Sequence, residues 1–289
     1  MQLEARGKIN WTLDITGQRH DGYHLMDMLM QPVTLADTVT LTSADGLTLS
    51  CGGEPLLSAD EHHLALRAAH ALQKATGCTR GAAIHVHKRI PVGAGMGGGS
   101  ADAAAVLLGL NRLWGLGLTQ AQLEAIGLTL GADVPFCLRG GLARVRGIGE
   151  EMTPLPCGRT WPLCVIQPCE GLSTGAVFAA YHARPGTVRP ATDDAALALA
   201  LGDLSGLARS LGNVLQPVSE QLRPEIAGAV RALMAAGAFA ALMTGSGSAV
   251  FGVFATETEA QSAAGELAAR YPRCWACATA AESVMLREA

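Results

Sequence analysis

Hydrophobic and polar residues alternate near the start of the chain, between Lys8 and Ile15. One set of alternate positions is apolar: Ile9, Trp11, Leu13 and Ile15. The other set is polar: Lys8, Asn10, Thr12 and Asp14. Because successive side chains of a strand point to opposite faces, the pattern predicts a strand with one apolar face toward a core. Lys8 and Asn10 are then neighbours on its polar face.

Shorter runs of the same kind predict further strands. Ile84 and Val86 alternate with histidines just before Lys88, which predicts a half-buried strand. Runs at 38–42 and 47–51 flank Asp45-Gly46, a pair typical of hairpin turns, so they predict a hairpin. Additional strands are expected at 161–167, 238–243 and 249–254.

Capping residues predict the helices between these strands. Ser58-Ala-Asp-Glu61 has the spacing of a capping box and predicts a helix to about Ala75, ended by Gly77. Residues 103–114 predict a second helix, with Ser100 as its N-cap and Asp102 in its first turn. Similar signals predict helices after Thr119, after Ser173 and after Thr256.

The mixture of strands and helices predicts an α/β (α+β) protein. The chain has 289 residues, enough for one large or two ordinary domains. Thr153-Pro-Leu-Pro-Cys-Gly158 is the most natural boundary, so we predict domains at residues 1–155 and 156–289. Leu130-Gly-Ala-Asp-Val-Pro135 is expected to be a loop, because a residue before proline disfavours helix.

Charge and composition exclude several classes of partner. There are 21 basic and 25 acidic residues, a net charge of −4, so nothing indicates a nucleic-acid or membrane surface. The first residues have no apolar leader segment, and the uncharged span 232–256 is interrupted by Thr244-Gly-Ser-Gly-Ser248. We therefore expect a cytoplasmic protein without a membrane helix, acting as a monomer or weak homodimer.

Cysteines and histidines leave two minor alternatives open. Eight scattered cysteines suit free thiols in a reducing compartment. Cys274 and Cys277 form a single CxxC, which favours two buried thiols in an edge strand over a zinc or redox site. His85 and His87 share one strand face and could bind a metal, although a solvated face beside Lys88 is the simpler interpretation.

The strongest chemical signal is the glycine-rich stretch from Pro91 to Asp102. Five glycines occur within the seven residues 93–99, between a predicted strand and a predicted helix. Glycines let the backbone turn tightly and leave its N–H groups open to a ligand. Together with a helix N-terminus these donors form an anion site, and the expected anion is phosphate.

Two familiar phosphate loops do not account for this stretch. Gly93, Gly95 and Gly98 match the dinucleotide pattern G-x-G-x-x-G, but no acidic residue follows about twenty positions later at the end of a second strand. No lysine follows the glycines as it would in a Walker loop. A ligand-free glycine turn is disfavoured, because such a run costs chain entropy.

The pattern Pro-x-Gly-x-Gly-x-Gly-Gly-Gly-Ser resembles the ATP loop of the GHMP kinases. Lys8-Ile-Asn10, Gly22-Tyr-His24 and the segment 130–135 extend the resemblance, which runs from Lys8 to about Ala278. It implies a two-domain kinase with the substrate cleft between the domains, using ATP and Mg²⁺. The implied ATP-binding residues are Pro91, Val92, Gly93, Ala94, Gly95, Met96, Gly97, Gly98, Gly99, Ser100 and Ala101.

The resemblance also implies roles for residues outside the loop. Asp133 is the implied base and Lys8 the cation beside it, with Asn10 contacting the substrate. Tyr23, His24 and Phe178 are implied to surround a cytosine, with an aromatic ring on each face and the histidine at the polar edge. The implied acceptor is the 2-hydroxyl of a diphosphocytidyl methylerythritol, on the non-mevalonate route to isoprenoids.

The residues alone permit plainer interpretations. Asp133 could be a turn-forming residue and Phe178 a core residue. Many similar sequences have a second serine where this chain has Ala101, so Ser100 alone or water must hold any Mg²⁺, and no metal ligands are assigned. Other small-alcohol GHMP kinases, a dinucleotide-dependent oxidoreductase and a silent nucleotide-binding module remain as alternative functions.

Overall fold

The structure is a computed structural model that describes residues 1–53, 60–182 and 188–287. Within these ranges the strands are β1 (Gln2–Gln18), β2 (His24–Ala44), β3 (Leu47–Gly52), β4 (Gly81–His87), β5 (Ala143–Gly147), β6 (Glu151–Pro154), β7 (Pro162–Ile166), β8 (Gly212–Asn213), β9 (Ala240–Met243), β10 (Val250–Val253), β11 (Cys274–Ala278) and β12 (Val284–Arg287). The helices are α1 (Leu64–Thr76), α2 (Gly98–Leu113), α3 (Gln120–Leu128), α4 (Val134–Arg139), α5 (Thr174–His182), α6 (Thr192–Leu201), α7 (Leu204–Ser210), α8 (Gln216–Leu222), α9 (Glu225–Ala235) and α10 (Glu257–Leu267). This mixture confirms the predicted α/β class.

The larger sheet is built on β1 and β2, which pair antiparallel along most of their length. Its strand order is β12-β1-β2-β4-β3. Near its start β2 also pairs with β5, which in turn pairs with β6, and the short β8 pairs with β1. A second, antiparallel sheet has the order β11-β7-β10-β9. The helices α9 and α10 pack against this second sheet.

The predicted hairpin at Asp45-Gly46 is wrong. Strand β4 lies between β2 and β3, antiparallel to β2 and parallel to β3. Ile84 pairs with Leu41 on one side and with Leu49 on the other. A local turn signal describes only the change of direction, whereas the partner of each strand is set by the core that it buries.

The prediction of one apolar and one polar face on β1 is also wrong. Lys8, Asn10, Thr12 and Asp14 are all buried. Two residues of β1 oppose one residue of β2 between Asn10 and Thr12, which is a β-bulge and reverses the faces beyond it. Ile9 and Trp11 therefore enter one hydrophobic cluster, while Leu13 and Ile15 enter the other.

Trp11 joins the two sheets. Its ring lies edge-on to Phe251 of β10, with centroids 5.5 Å apart, and to Trp161 just before β7, at 6.0 Å. All three side chains are fully buried. Buried aromatic side chains contribute large apolar areas and favour such edge-to-face geometry, so this contact fixes the second sheet against the first.

Two helix starts differ from the predictions. Helix α1 begins at Leu64 with His63 as its N-cap, and the predicted cap Ser58 lies outside the described residues. Its end at Thr76, with Gly77 left-handed, is confirmed. Helix α2 begins at Gly98, so Ser100 is in its first turn and is not the N-cap. Gly98 and Gly99 form the start of the first turn, and the left-handed Gly97 is the N-cap.

The segment before Pro135 is not wholly a loop. Helix α4 begins at Val134, directly after Asp133, and Pro135 lies in its first turn. Proline is tolerated there because the first N–H groups of a helix have no intrahelical partner. The helices predicted after Thr119 and Thr256 are confirmed, and each begins with a capping box.

The domain boundary between residues 155 and 156 stays a prediction. The chain returns to the larger sheet at its end, where β12 pairs with β1. Among the described residues no helix is long and apolar enough to span a membrane. Strand β11 lies at an edge of its sheet, with Cys274 and Cys277 half-buried.

A buried charge cluster lies beneath the glycine-rich loop. His85 and His87 are exposed as expected, but Lys88 is buried between the carboxylates of Asp37 and Asp102. Asp37 also accepts hydrogen bonds from the backbone N–H groups of Arg89 and Ile90. The cluster therefore anchors both the entrance and the exit of the loop to strand β2.

Replacing Lys88 with methionine should strongly destabilise the fold. The change leaves two buried carboxylates without their cation, which typically costs about 3–5 kcal/mol. Urea unfolding measures the loss. Lys74→Met is the matched control, because Lys74 is exposed at the end of α1 and should change stability by less than about 0.5 kcal/mol. Equal effects in the two variants would contradict the structural role of Lys88.

Candidate active site

The glycine-rich loop connects β4 to α2, as predicted. Gly93, Gly95 and Gly97 have positive φ angles of 64°, 76° and 69°. Side-chain-bearing residues are strained in this left-handed region, so the three alternate glycines are required by the backbone path itself.

Each of these glycines lies against a different part of the molecule. A Cβ on Gly93 would lie 3.2 Å from the Cα of Gly171, and a Cβ on Gly95 would overlap the carbonyl oxygen of Thr244. A Cβ on Gly97 would lie 3.3 Å from Cε of Lys8. The loop is thus packed against the second glycine loop (residues 244–248) and against the lysine of β1.

The structure brings the predicted catalytic pair together. Lys8 Nζ lies 3.7 Å from Asp133 Oδ2, directly beside Gly97. The Lys8 side chain is 5% exposed, whereas the Asp133 side chain is 34% exposed at the start of α4. The lysine is therefore held inside the protein while the carboxylate stays accessible to a ligand.

Asn10 links Lys8 to the second glycine loop. Its Oδ1 accepts hydrogen bonds from Lys8 Nζ at 2.7 Å and from the N–H of Gly245 at 3.1 Å. Its backbone N–H donates to Thr244 Oγ1 at 3.0 Å. Asn10 lines the cavity at Lys8, and its predicted contact with substrate stays a prediction.

A cavity of about 540 Å³ lies over the glycine-rich loop. Residues 91–100 line it, together with Lys88, His63, Leu64 and Asp102. Ala101 is fully buried in α2 and does not line this cavity. The first turn of α2 faces the same space, so backbone N–H groups and a helix N-terminus are available for an anion.

Two further cavities continue from the first. One, of about 260 Å³, contains Lys8 and Asp133, and the other, of about 450 Å³, contains Tyr23, His24 and Phe178. Phe178 lines both of them. The three spaces therefore form one cleft, with the Lys8–Asp133 pair in its middle.

Thr174 is a residue of this cleft that the sequence analysis missed. It lines all three cavities, and its hydroxyl lies 3.1 Å from that of Ser246 in the second glycine loop. The only signal in the sequence was its place beside Ser173, the predicted start of the helix that carries Phe178. A single threonine at a helix start is too common to reveal this role.

The aromatic residues lie together in this cleft, and their predicted roles around a cytosine stay predictions. The rings of His24 and Phe178 are stacked, with centroids 4.4 Å apart and an interplanar angle of 27°. Tyr23 is 60% exposed in the same cavity. Phe178 packs against the main core as well as lining the cleft, so the core interpretation and the binding interpretation are both physically compatible with its position.

The pKa values of the charged groups buried beneath the loop are shifted from their usual values. Burial raises the pKa of Asp102, although the adjacent Lys88 acts in the opposite direction. Burial alone would lower the pKa of Lys88, but the two carboxylates raise it overall.

Among the described residues no group of three His, Cys, Asp or Glu could hold a metal. The hydroxyl and carboxylate side chains that line the cleft near the loop are those of Ser100, Asp102, Asp133, Thr174 and Ser246.

Comparison with known proteins identifies the family. Residues 63–141 match the model of the GHMP kinases N terminal domain, and residues 195–273 match that of GHMP kinases C terminal. The chain is 45% identical over 256 residues to the 4-diphosphocytidyl-2-C-methyl-D-erythritol kinase of Symbiobacterium thermophilum, covering 88% of this chain and 90% of that relative. The chain belongs to the GHMP kinase family.

Two other comparisons agree with this. The chain is 44% identical to the 4-diphosphocytidyl-2-C-methyl-D-erythritol kinase of Moorella thermoacetica, covering 94% of this chain and 96% of the relative. A crystal structure of 4-(cytidine 5′-diphospho)-2C-methyl-D-erythritol kinase superposes with a TM-score of 0.83 at 36% identity, covering 96% of this chain and 99% of the other. As a GHMP kinase, the protein uses ATP with a divalent metal and acts on a small molecule.

Gly97→Ala should impair the kinase more than it impairs the fold. The new Cβ would lie 3.3 Å from Cε and Cγ of Lys8, so the lysine must shift slightly. Since a misplacement of about 1 Å can cost about a hundredfold in rate, we expect this smaller shift to lower kcat by about threefold to tenfold. Gly115→Ala is the matched control, since Gly115 has a similar φ of 65° and nothing within 4 Å. Both variants should lose about 1–2 kcal/mol of stability. A normal kcat in the folded Gly97 variant would contradict this contact.

Proposed function

We propose that this GHMP kinase transfers the γ-phosphoryl group of ATP to the 2-hydroxyl of 4-diphosphocytidyl-2-C-methyl-D-erythritol. The products are the 2-phosphate and ADP, in the methylerythritol phosphate route to isoprenoid precursors. The observation that carries the proposal is the position of the Lys8–Asp133 pair between the glycine-loop cavity and the aromatic cavity. The printed names of the relatives at 44–45% identity support the same acceptor.

The triphosphate binds along the glycine-rich loop in this proposal. Backbone N–H groups around Gly95 and Gly97, with the first turn of α2, face the cavity where the phosphates lie. The close contacts of these glycines leave no room for a Cβ between the loop and Thr244 or Lys8. The loop therefore positions the γ-phosphoryl group toward Lys8.

Asp133 orients and deprotonates the acceptor hydroxyl, and Lys8 stabilises the charge on the transferring phosphoryl group. Lys8 Nζ lies 3.7 Å from Asp133 Oδ2, so the two side chains form an ion pair beside the loop. Asn10 keeps Lys8 in place through its 2.7 Å hydrogen bond. Phosphoryl transfer needs little more than this positioning and charge stabilisation.

The oxygen donors of the cleft fit Mg²⁺. This ion prefers oxygen ligands and usually keeps only one or two from the protein, with phosphates and water completing its octahedron. The hydroxyl of Ser100, in the first turn of α2 at the nucleotide cavity, is the protein oxygen that would hold it. When bound, the ion neutralises negative charge on the phosphates.

The cytidine part of the acceptor occupies the aromatic cavity in this proposal. A flat base is held by aromatic faces, and Tyr23 and Phe178 supply two such faces. The imidazole of His24 stacks on Phe178 in the structure, so the base must lie beside this stack or separate the two rings. The second candidate is a kinase for a small alcohol such as homoserine or mevalonate. Such an acceptor has no flat base to occupy this aromatic cavity.

An acceptor panel tests the proposal directly. ATP consumption is measured with the diphosphocytidyl alcohol, homoserine and mevalonate as alternative acceptors. We expect turnover with the first only. Turnover with homoserine or mevalonate alone would support the second candidate and reject the cytidine assignment.

Asp133→Asn should reduce turnover about a hundredfold or more while ATP still binds. The amide has the size of the carboxylate but cannot accept the proton of the hydroxyl. kcat and the dissociation constant for ATP are the two measurements. Asp45→Asn, in an exposed turn, is the control and should leave both kcat and the dissociation constant for ATP unchanged. Near-normal turnover of the Asp133 variant would show that Asp133 is a structural residue and not the base.

Phe178→Ala should weaken binding of the cytidine substrate by roughly 1–3 kcal/mol, the usual value of one base–aromatic stack. The KM for the acceptor then rises about fivefold to a hundredfold, while the KM for ATP is unchanged. Phe239→Ala is the matched control, because Phe239 is 48% exposed and lines none of the three cavities. A lower melting temperature with an unchanged acceptor KM would instead support the core interpretation of Phe178.

A further inference from the structure

The two cysteines of the CxxC in strand β11 do not face each other. Cys274 and Cys277 are three residues apart, and successive side chains of a strand point to opposite faces. Cys274 accordingly packs against one hydrophobic cluster and Cys277 against the other. Three residues of extended strand span about 10 Å, more than the roughly 7 Å that a disulfide bridges between Cα atoms. The CxxC spacing therefore does not define a redox pair.

The partner of Cys274 lies on the neighbouring strand β7. Sγ of Cys164 is 3.6 Å from Sγ of Cys274. In the antiparallel pairing of the two strands Cys164 is opposite Ala276, and Cys274 is opposite Ile166. The two cysteines are thus diagonal neighbours on the same face of the sheet, where side chains of adjacent strands meet.

The two thiols differ in access and in acidity. Cys164 is fully buried, whereas Cys274 is partly exposed at the edge of the sheet. The hydrogen bond from the Cys164 thiol lowers the pKa of Cys274 against the opposing effect of burial, and that same contact together with burial raises the pKa of Cys164. The thiolate is the reactive form of cysteine. Cys274 is therefore the nucleophile, and Cys164 is the neighbouring thiol that can react with its oxidised form.

We propose that Cys164 and Cys274 are a redox pair, which hydrogen peroxide oxidises to a disulfide and a thiol reductant restores. The thiolate of Cys274 attacks one peroxide oxygen, the O–O bond breaks and hydroxide leaves, so Cys274 becomes a sulfenic acid. The sulfur of Cys164 then attacks the sulfur of Cys274. The S–S bond forms, the S–O bond breaks, and the Cys164 proton leaves with the hydroxyl group as water. The two sulfurs lose two electrons and the peroxide gains them.

The disulfide requires β11 to shift against β7. The sulfur atoms must approach each other by about 1.5 Å to reach the length of an S–S bond. Strand β11 lies at the edge of its sheet and β7 lies inside it, so β11 is the strand that moves. A strained disulfide is reduced more easily than a relaxed one, which makes this modification reversible.

The start of β11 is connected to the glycine-rich loop through Gln167. The backbone N–H of Gln167 donates to the carbonyl of Arg273 at 2.9 Å, and the guanidinium of Arg273 donates to Gln167 Oε1 at 3.1 Å. Gln167 Nε2 donates in turn to the carbonyl of Val92, at 2.9 Å. Val92 belongs to the loop and lines its cavity. A shift at Cys274, the residue after Arg273, therefore disturbs the hydrogen bond that holds Val92.

Oxidation should consequently weaken the binding of ATP. This effect rests on the proposed function, which places the triphosphate along the glycine-rich loop, whereas formation of the disulfide does not depend on it. The loss of one hydrogen bond to the loop corresponds to about threefold to tenfold in ATP affinity.

Four variants of the full chain test the pair and its connection to the loop. Cys164→Ala and Cys274→Ser each remove one member of the pair. Cys277→Ser is the matched control, because it breaks the CxxC and keeps the pair. Gln167→Met keeps the pair and removes the hydrogen bond to Val92. Each protein is treated with hydrogen peroxide, its remaining thiols are alkylated, and the disulfide is mapped by mass spectrometry of the digest.

ATP dissociation constants are measured by calorimetry before oxidation, after it, and after reduction with dithiothreitol. Melting temperatures of the reduced proteins show that each variant is folded. Dimedone, which reacts with sulfenic acids, identifies the thiol that the peroxide attacks.

We expect the disulfide in the original protein, in Cys277→Ser and in Gln167→Met. Cys164→Ala should instead carry the dimedone label at Cys274, and Cys274→Ser should form neither product. Oxidation should weaken ATP binding by the original protein about threefold to tenfold, and dithiothreitol should restore it. Gln167→Met should bind ATP weakly in both states, because two changes that act through the same contact do not add.

Absence of the disulfide from the oxidised original protein, or its persistence in Cys164→Ala, would overturn the redox pair. Its loss in Cys277→Ser would do the same and assign the chemistry to the CxxC. Unchanged ATP affinity after oxidation, or an equal effect of oxidation in Gln167→Met, would overturn the connection to the loop. Failure of the reduced original protein to bind ATP would overturn the proposed kinase function and not the disulfide.

Discussion

Close backbone contact at three left-handed glycines is the constraint on which this structure depends. Only glycine fits at position 95, because a Cβ there would overlap the carbonyl oxygen of Thr244. A Cβ at position 97 would crowd the side chain of Lys8. The same loop is tied to strand β1 by the hydrogen bond from Lys8 N–H to the carbonyl of Met96, at 2.9 Å. The phosphate loop, the lysine and the second glycine loop are therefore positioned by one set of contacts.

The charges of the molecule are arranged around that loop. Lys88 is buried with two carboxylates below it, whereas Lys8 is buried beside an accessible carboxylate within the cleft. Removing a buried cation costs more than its favourable interactions contribute, because it leaves uncompensated charge behind. Lys88 holds the two ends of the loop in place, and Lys8 acts on the ligand that the loop binds.

The cleft is assembled from segments far apart in the chain. Lys8 comes from β1, Asp133 from the start of α4, Phe178 from α5 and the second glycine loop from between β9 and β10. Thr174 lies where all three cavities meet. An acceptor with a flat base at one end and a hydroxyl at the other matches a cleft that is aromatic at one end and charged in the middle.

Local patterns in the sequence determined the glycine loop between a strand and a helix, the capping boxes at Thr119 and Thr256 and, through its resemblance to the GHMP kinases, the family. These features depend on residues adjacent in the chain. The tertiary structure alone decided that β4 separates β2 from β3, that the bulge after Asn10 turns β1 toward two cores, and that Lys88 is buried. Strand order, burial of charge and the meeting of Thr174 with three cavities depend on contacts between distant segments, and no local periodicity encodes those.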